Sequence, residues 1–147
     1  MDSFERAKAG QGQVFSIVAE AGIGKSRLLY EFRKNVVNEN ITFLEGKCLS
    51  YSRGVAYHPI IDVLKSAFDI REYDEDFQVK EKVKKGLDIL EVEQKSALPY
   101  VLELLSVKES GINQIPMSPE AKKDRFIETL KRIVFKDSVI RPLILAF

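Results

Sequence analysis

Several residue types are scarce in this 147-residue sequence, and each scarcity excludes a class of protein. The single cysteine, Cys48, rules out an internal disulfide and any metal site built from several cysteines. The only histidine, His58, makes no metal site by itself. No apolar run approaches the roughly 20 residues that a membrane-spanning helix needs. The 23 basic residues almost balance the 22 acidic ones, so the net charge gives no support for a nucleic acid or a membrane as partner.

The remaining composition is that of one folded domain. Hydrophobic residues make up 45% of the chain and charged residues 31%, which is enough apolar content for a core and too much for a disordered chain. The N-terminal sequence MDSFERAKAG has no apolar signal core. Together with the single cysteine, this predicts a cytoplasmic protein.

Three apolar segments have the composition of strands buried in a parallel sheet. They are Gln13–Ala19, Ile41–Lys47 and Pro142–Phe147. An amphipathic helix is predicted between the first two, from Lys25 to about Asn38, because Leu28, Leu29, Phe32, Val36 and Val37 recur at helical spacing. The order strand, helix, strand predicts an α/β fold.

The region between the second and third strands is predicted to be a large helical insertion. Apolar stripes indicate helices after Pro59, around Val79 to Leu90, and from Pro99, which we place in a first helical turn. After a linker, Ser118 is predicted to cap a last helix that ends near Lys136. The expected organisation is a phosphate-loop half at 1–48, a helical region at 49–141 and a third strand at 142–147.

The segment AEAGIGKS, residues 19 to 26, carries the chemical signal. A loop between a strand and a helix lets successive backbone N–H groups converge on a phosphate, and the helix N-terminus adds about half a positive charge. Glycines allow the main chain to approach, the lysine reaches the β and γ phosphates, and the following serine places its hydroxyl on Mg²⁺. The candidate nucleotide-binding residues are Ala21, Gly22, Ile23, Gly24, Lys25, Ser26 and Arg27, with Ser26 also the candidate metal ligand.

One position departs from the strict phosphate-loop pattern, since Ala19 stands where the first glycine is expected. Two functions therefore stay open. The chain is either an ATP-binding module or a structural or interaction module whose degenerate loop no longer binds nucleotide. Measured ATP affinity separates these two possibilities.

The runs GQGQVFSIVAEAGIGKSRLLYEF, ITFLEGKCLSYSRGVAYHPIIDVLK, MSPEAKKDRFIETLKRIVF and RPLILAF resemble the ATPase module of multidomain signal-transduction proteins. These are the STAND-type, AAA-related ATPases found beside adenylate or guanylate cyclase domains and in large transcriptional activators. The resemblance implies a P-loop NTPase fold, ATP and Mg²⁺ as cofactors, and an attached effector domain that the nucleotide state controls.

The sequence also departs from this family. Such modules place acidic catalytic residues directly after the third strand, where this sequence stops at Phe147, and we expect a truncated fold with three mainly parallel strands and little or no hydrolysis. The family's strand order, 5-1-4-3-2, puts a further strand between Gln13–Ala19 and Pro142–Phe147. Either these two segments pair directly, or they leave open edges that invite self-association.

Overall fold

The computed structural model describes residues 2–37, 39–47 and 57–147. This part of the chain forms six α-helices and one parallel sheet of two strands, so the expected α/β class is confirmed. The elements are, in chain order, α1 Asp2–Lys8, α2 Lys25–Val36, β1 Thr42–Glu45, α3 His58–Ala67, α4 Asp76–Ile89, α5 Gln94–Leu104, a 3-10 turn Ile112–Gln114, α6 Pro119–Ile140 and β2 Leu143–Ala146.

Strands β1 and β2 pair in register from Thr42 opposite Leu143 to Glu45 opposite Ala146. The ladder extends beyond both ends, because the Thr42 N–H donates to the Pro142 carbonyl and the Gly46 N–H to the Ala146 carbonyl, each at 2.9 Å. Parallel strands need a long crossover. The helices α3 to α6 supply it, as the predicted helical insertion requires.

The core lies among these helices rather than around the sheet. Helix α4 packs on α5, and α5 packs on α6. Their buried side chains, with those of α3, form one cluster that includes Leu64, Phe68, Val79, Val83, Leu87, Ala97, Tyr100, Val101, Leu102, Leu104, Phe126 and Ile133. Strand β2 is only half-buried throughout.

Helix α6 confirms the predicted N-cap and corrects the predicted end. The Ser118 side chain accepts a hydrogen bond from the Ala121 N–H at 3.2 Å, and Pro119 occupies the first turn. The helix continues past Lys136 to Ile140, so its end was predicted one turn too early. The buried residues Phe126, Thr129 and Ile133 anchor its middle part.

The prediction for Pro99 is wrong. Helix α5 begins at Gln94, so Pro99 lies inside the helix and not in its first turn. A proline at this position removes one helical hydrogen bond. The helix persists because burial of Ala97, Tyr100, Val101, Leu102 and Leu104 on its core side offsets that loss.

The predicted first strand, Gln13–Ala19, is also wrong in the part of the chain that the structure describes. The segment pairs with no other strand, and its apolar side chains Val14, Phe15, Ile17 and Val18 lie in solvent. A strand, unlike a helix, satisfies its backbone only through a neighbouring strand. The expected three-stranded sheet is thus not observed, and neither is direct pairing of this segment with Pro142–Phe147.

Helix α2 packs on β1 through its C-terminal half. Val36 is buried, and the Phe32 and Phe43 rings lie 6.4 Å apart. Arg33 stacks over the Phe43 ring at 5.4 Å between centres and approaches Glu45 at 3.8 Å. These contacts hold the C-terminal half of α2 beside β1.

None of the helices in the described ranges is both long enough and apolar enough to cross a membrane.

Candidate functional site

The candidate phosphate loop is a tight turn that leads directly into α2. Residues Ala21 to Gly24 form the turn, and the helix begins at Lys25. Gly22 has φ of 82° and Gly24 has φ of 103°, a region that L side chains rarely adopt. A Cβ at Gly22 would meet nothing within 4 Å, so backbone conformation rather than space requires glycine there.

The N-terminus of α2 is open to an anion. Its N-cap residue, Gly24, provides no side-chain cap, and no acidic residue occupies the first turn. The Leu28 N–H donates to the Gly24 carbonyl at 2.9 Å, while the N–H groups of Lys25, Ser26 and Arg27 precede the regular helical pattern and have no carbonyl one turn back. These groups and the helix dipole give the turn a positive end.

The Lys25 side chain folds back onto its own loop. Its ammonium group donates to the Ala19 carbonyl at 2.7 Å and to the Glu20 carbonyl at 2.8 Å. The two bonds close a ring of main chain from Ala19 to Lys25. Both acceptors are neutral backbone groups, and the charge of Lys25 is therefore not neutralised by them.

The other candidate residues take different positions. Ala21 and Ile23 lie in the exposed turn, and Ser26 is exposed in the first turn of α2. Arg27 is held along the helix, since its guanidinium lies 2.6 Å from a Glu31 carboxylate oxygen and 5.8 Å from the Tyr30 ring centre. Its side chain is therefore engaged with the next helical turn, which leaves its backbone N–H as the group directed toward an anion.

The main-chain carbonyls of Ala19 and Glu20 were not identified from the sequence as partners of Lys25. Every residue carries a main-chain carbonyl group, so the sequence gives no reason to choose these two as acceptors. Only the turn geometry selects these two.

A second set of polar groups gathers where β1 ends. The Lys47 N–H donates to an Asp62 carboxylate oxygen at 3.2 Å, and His58 Nδ1 lies 3.6 Å from the same oxygen. A Cβ on Gly46 would collide with the Pro59 carbonyl oxygen, so α3 sits directly against this end of the strand. The arrangement orients the start of α3.

The described residues contain no group of three or more His, Cys, Asp or Glu side chains that could hold a metal ion. The Ser26 hydroxyl would therefore be a single protein ligand, and a metal there would need phosphate oxygens as its other ligands. The single cysteine, Cys48, lies outside the described ranges.

Asp137 and Glu103, two carboxyl groups with shifted pKa values, belong to the sequence outside the candidate loop. Burial raises the pKa of Asp137 above its ordinary value, with Arg141 acting in the opposite direction. The hydrogen bond from the Lys122 ammonium, 2.7 Å away, lowers the pKa of Glu103, and Ser110 adds to this effect. Asp137 borders a cavity of about 340 Å³ between the sheet and helices α3 and α6. Both groups belong to the helical region.

A family model described as AAA ATPase domain matches the chain over residues 1–147. Comparisons with curated proteins and with solved structures gave no significant match.

Proposed function

The chain belongs to the AAA ATPase domain family, and from this premise we propose that it is the ATP-binding module of a regulatory, signal-transducing ATPase. In this proposal Ala21, Gly22, Ile23, Gly24, Lys25, Ser26 and Arg27 hold the phosphates. Mg²⁺ accompanies the nucleotide and takes the Ser26 hydroxyl as a ligand. The family supports the cofactors ATP and Mg²⁺, and the loop geometry supports the choice of residues.

The observation that carries the proposal is the uncapped start of α2. Two left-handed glycines turn the chain, and three N–H groups precede the regular helical pattern. A turn of this kind concentrates partial positive charge in a small volume. An aspartate or serine cap satisfies one of these groups in many helices, and α2 has no such cap. Their open state favours an external anion as the partner.

The Lys25 ammonium group adds a full positive charge to the partial charge of the helix N-terminus. Its present acceptors are two neutral carbonyls, whereas a phosphate offers charged oxygens, which accept roughly twice as strongly. We therefore expect the ammonium group to leave Ala19 and Glu20 and to bind the β and γ phosphates. The ring from Ala19 to Lys25 keeps the side chain close to the turn until then.

The regulatory role rests on the resemblance to signal-transduction ATPases. Nucleotide binding would control an attached effector domain in the cytoplasm, where the single cysteine, Cys48, stays reduced. The balanced net charge of +1 favours neither a membrane nor nucleic acid as a direct partner.

Calorimetric titration of the chain with MgATP tests the proposal. Lys25→Ala should weaken binding about tenfold to a hundredfold, because a charge-assisted hydrogen bond contributes roughly 1.5–3 kcal/mol. Lys34→Ala is the matched control, since Lys34 lies on the same helix and contacts the Tyr30 ring. It should leave the affinity unchanged.

If wild type fails to bind MgATP, or if both variants bind as wild type does, the loop is degenerate. The chain would then be a structural or interaction module, which Ala19 at the first loop position would help to explain.

A further inference from the structure

The first turn of α2 carries two cations, which is unfavourable for a helix by itself. The helix begins with Lys25, Ser26 and Arg27, and its first turn contains no acidic residue. Anions stabilise the N-terminal end of a helix and cations the C-terminal end. The position of Arg27 therefore costs stability in the chain alone, and an anion bound at the loop would offset that cost.

The Arg27 guanidinium is engaged by Glu31, one helical turn further on. A guanidinium nitrogen lies 2.6 Å from a Glu31 carboxylate oxygen, and the group lies 5.8 Å from the Tyr30 ring centre. Helical side chains by default lean toward the N-terminus of their helix. The ion pair with Glu31 thus holds the guanidinium away from the direction that leads to the loop.

The beginning of the Arg27 side chain nevertheless adjoins the loop. Its Cβ is 4.0 Å from the position that a Cβ on Gly24 would take, and Gly24 is the residue from which α2 starts. The Arg27 N–H is also one of those that precede the regular helical pattern. A change of side-chain rotamer, with no movement of the main chain, can therefore bring the guanidinium from Glu31 to the loop.

The pair between Arg27 and Glu31 is weak compared with a contact to phosphate. The Arg27 side chain is 75% exposed and that of Glu31 40%, and exposed pairs contribute little to stability. The order is also the less favourable one, because the acidic residue follows the basic one along the helix. A guanidinium donates two parallel N–H bonds to a phosphate, which makes such pairs strong. A phosphate should therefore displace Glu31.

We propose that Arg27 and Glu31 form a nucleotide-dependent switch on α2. When MgATP binds, the guanidinium leaves Glu31 and contacts the α-phosphate, since Lys25 takes the β and γ phosphates. Glu31 regulates affinity because it competes with the nucleotide for Arg27, and after release it remains hydrated, three residues from Lys34 on the same helix. This inference rests on the proposed function, because the competing anion is the nucleotide at the loop.

Calorimetric titration with MgATP and MgADP tests the switch in Arg27→Gln, Glu31→Gln and the double variant. Arg27→Gln should weaken binding about tenfold, and equally for both nucleotides, because both carry an α-phosphate. Glu31→Gln should strengthen binding about twofold, since it removes a weak competing pair. In the Arg27→Gln background, Glu31→Gln should have no effect.

Glu45→Gln is the matched control for the loss of one negative charge. Glu45 lies 3.8 Å from Arg33 of the same helix, and its substitution should leave the affinity unchanged. The inference is overturned if Glu45→Gln strengthens binding as Glu31→Gln does, or if Glu31→Gln acts equally with and without Arg27. Either result would show a general effect of charge. Wild-type affinity in Arg27→Gln, or unequal losses for the two nucleotides, also overturns it.

The NMR signal of the Arg27 Nε–H group gives a second readout. Glu31→Gln should shift this signal in the free chain, and MgATP should bring it to the same position in wild type and in Glu31→Gln. If wild type binds MgATP and Lys25→Ala does not, but the Arg27 signal fails to respond, the switch is wrong and the proposed function stands. Failure of wild type to bind MgATP overturns both.

Discussion

The phosphate-loop half and the helical half of this molecule are built in opposite ways. Between residues 2 and 35 no side chain is buried, and Val36 is the first that is. In the helical half, Val83, Leu87, Ala97 and Val101 are completely shielded from solvent. The candidate site therefore lies in the part of the chain with the least core.

The residues that stabilise the fold are therefore different from the residues of the candidate site. Helices satisfy their own backbone groups and need only one apolar face to pack, so α3 to α6 form a core by themselves. The loop needs no core to define its shape, because two glycine conformations and one lysine side chain determine it. Substitutions in the helical half should therefore change the free energy of unfolding and leave nucleotide binding unchanged. Substitutions in the loop should do the reverse.

The largest contrast is expected from two leucine truncations. Leu87→Ala leaves a cavity in the helical core, where Leu87 is fully buried, and should lower the free energy of unfolding by about 2–5 kcal/mol. Leu28→Ala, at a position 56% exposed on α2, should change it by less than about 0.5 kcal/mol. Urea unfolding measures both. Equal losses of unfolding free energy would show that α2 is packed into the core as tightly as the helical half is.

A pair of glycine substitutions gives the next contrast. A Cβ on Gly86 in α4 would collide with the Phe68 ring, so Gly86→Ala should destabilise the fold by about 1–3 kcal/mol. Gly12→Ala, where a Cβ meets nothing within 4 Å, should be neutral or slightly stabilising. Thermal unfolding of the two variants checks this, and a stable Gly86→Ala would mean that α3 and α4 are not in close contact.

Helix capping should have a smaller effect. Ser118→Ala removes the acceptor of the Ala121 N–H and should cost about 1 kcal/mol. Ser138→Ala is the control, since the Ser138 hydroxyl donates to the Phe135 carbonyl inside the same helix and caps nothing. Its effect should stay within about 0.5 kcal/mol. Circular dichroism during urea unfolding measures the stability of both variants. Equal losses of stability would show that the Ser118 cap does not stabilise α6.

The smallest effect concerns the pH dependence of stability. The pKa of Glu103 is lowered in the folded state, first by the hydrogen bond from Lys122, so its contribution is present above its unfolded pKa and is lost as pH falls through the folded value. Glu103→Gln should therefore cost under about 1 kcal/mol near neutral pH, because the pair is partly exposed. This cost should shrink in acid. A cost that is independent of pH would contradict the assignment.

The helices were largely predictable because their signals are local. The spacing of Val79, Val83 and Leu87 gave α4, and Ser118 with Pro119 gave the start of α6. Pro99 misled the prediction of α5, since burial of its neighbours outweighs one lost hydrogen bond. Helix α1 was not predicted, because it has no buried residues and therefore no apolar stripe at helical spacing.

The strands were predictable only in part. Thr42–Glu45 and Leu143–Ala146 form strands inside the predicted segments and pair with each other. Gln13–Ala19 has similar composition, but composition does not reveal whether a neighbouring strand is present. The start of α2 at Lys25 was predicted from the change between strand and helix spacing of apolar residues. The hydrogen bonds from Lys25 to two carbonyls depend on the geometry of the turn, which the spacing of apolar residues does not reveal.

The most direct test of the account is the response of individual backbone amides to MgATP, measured by NMR on the labelled chain. We predict that the largest shifts fall on Gly22 to Arg27, while the amides around Val83 and Leu87 in the helical core stay unchanged. Lys25→Ala should abolish the loop shifts without altering the core spectrum. Shifts confined to the helical half, or no shifts in the loop at saturating MgATP, would contradict the assignment of this turn as the nucleotide site.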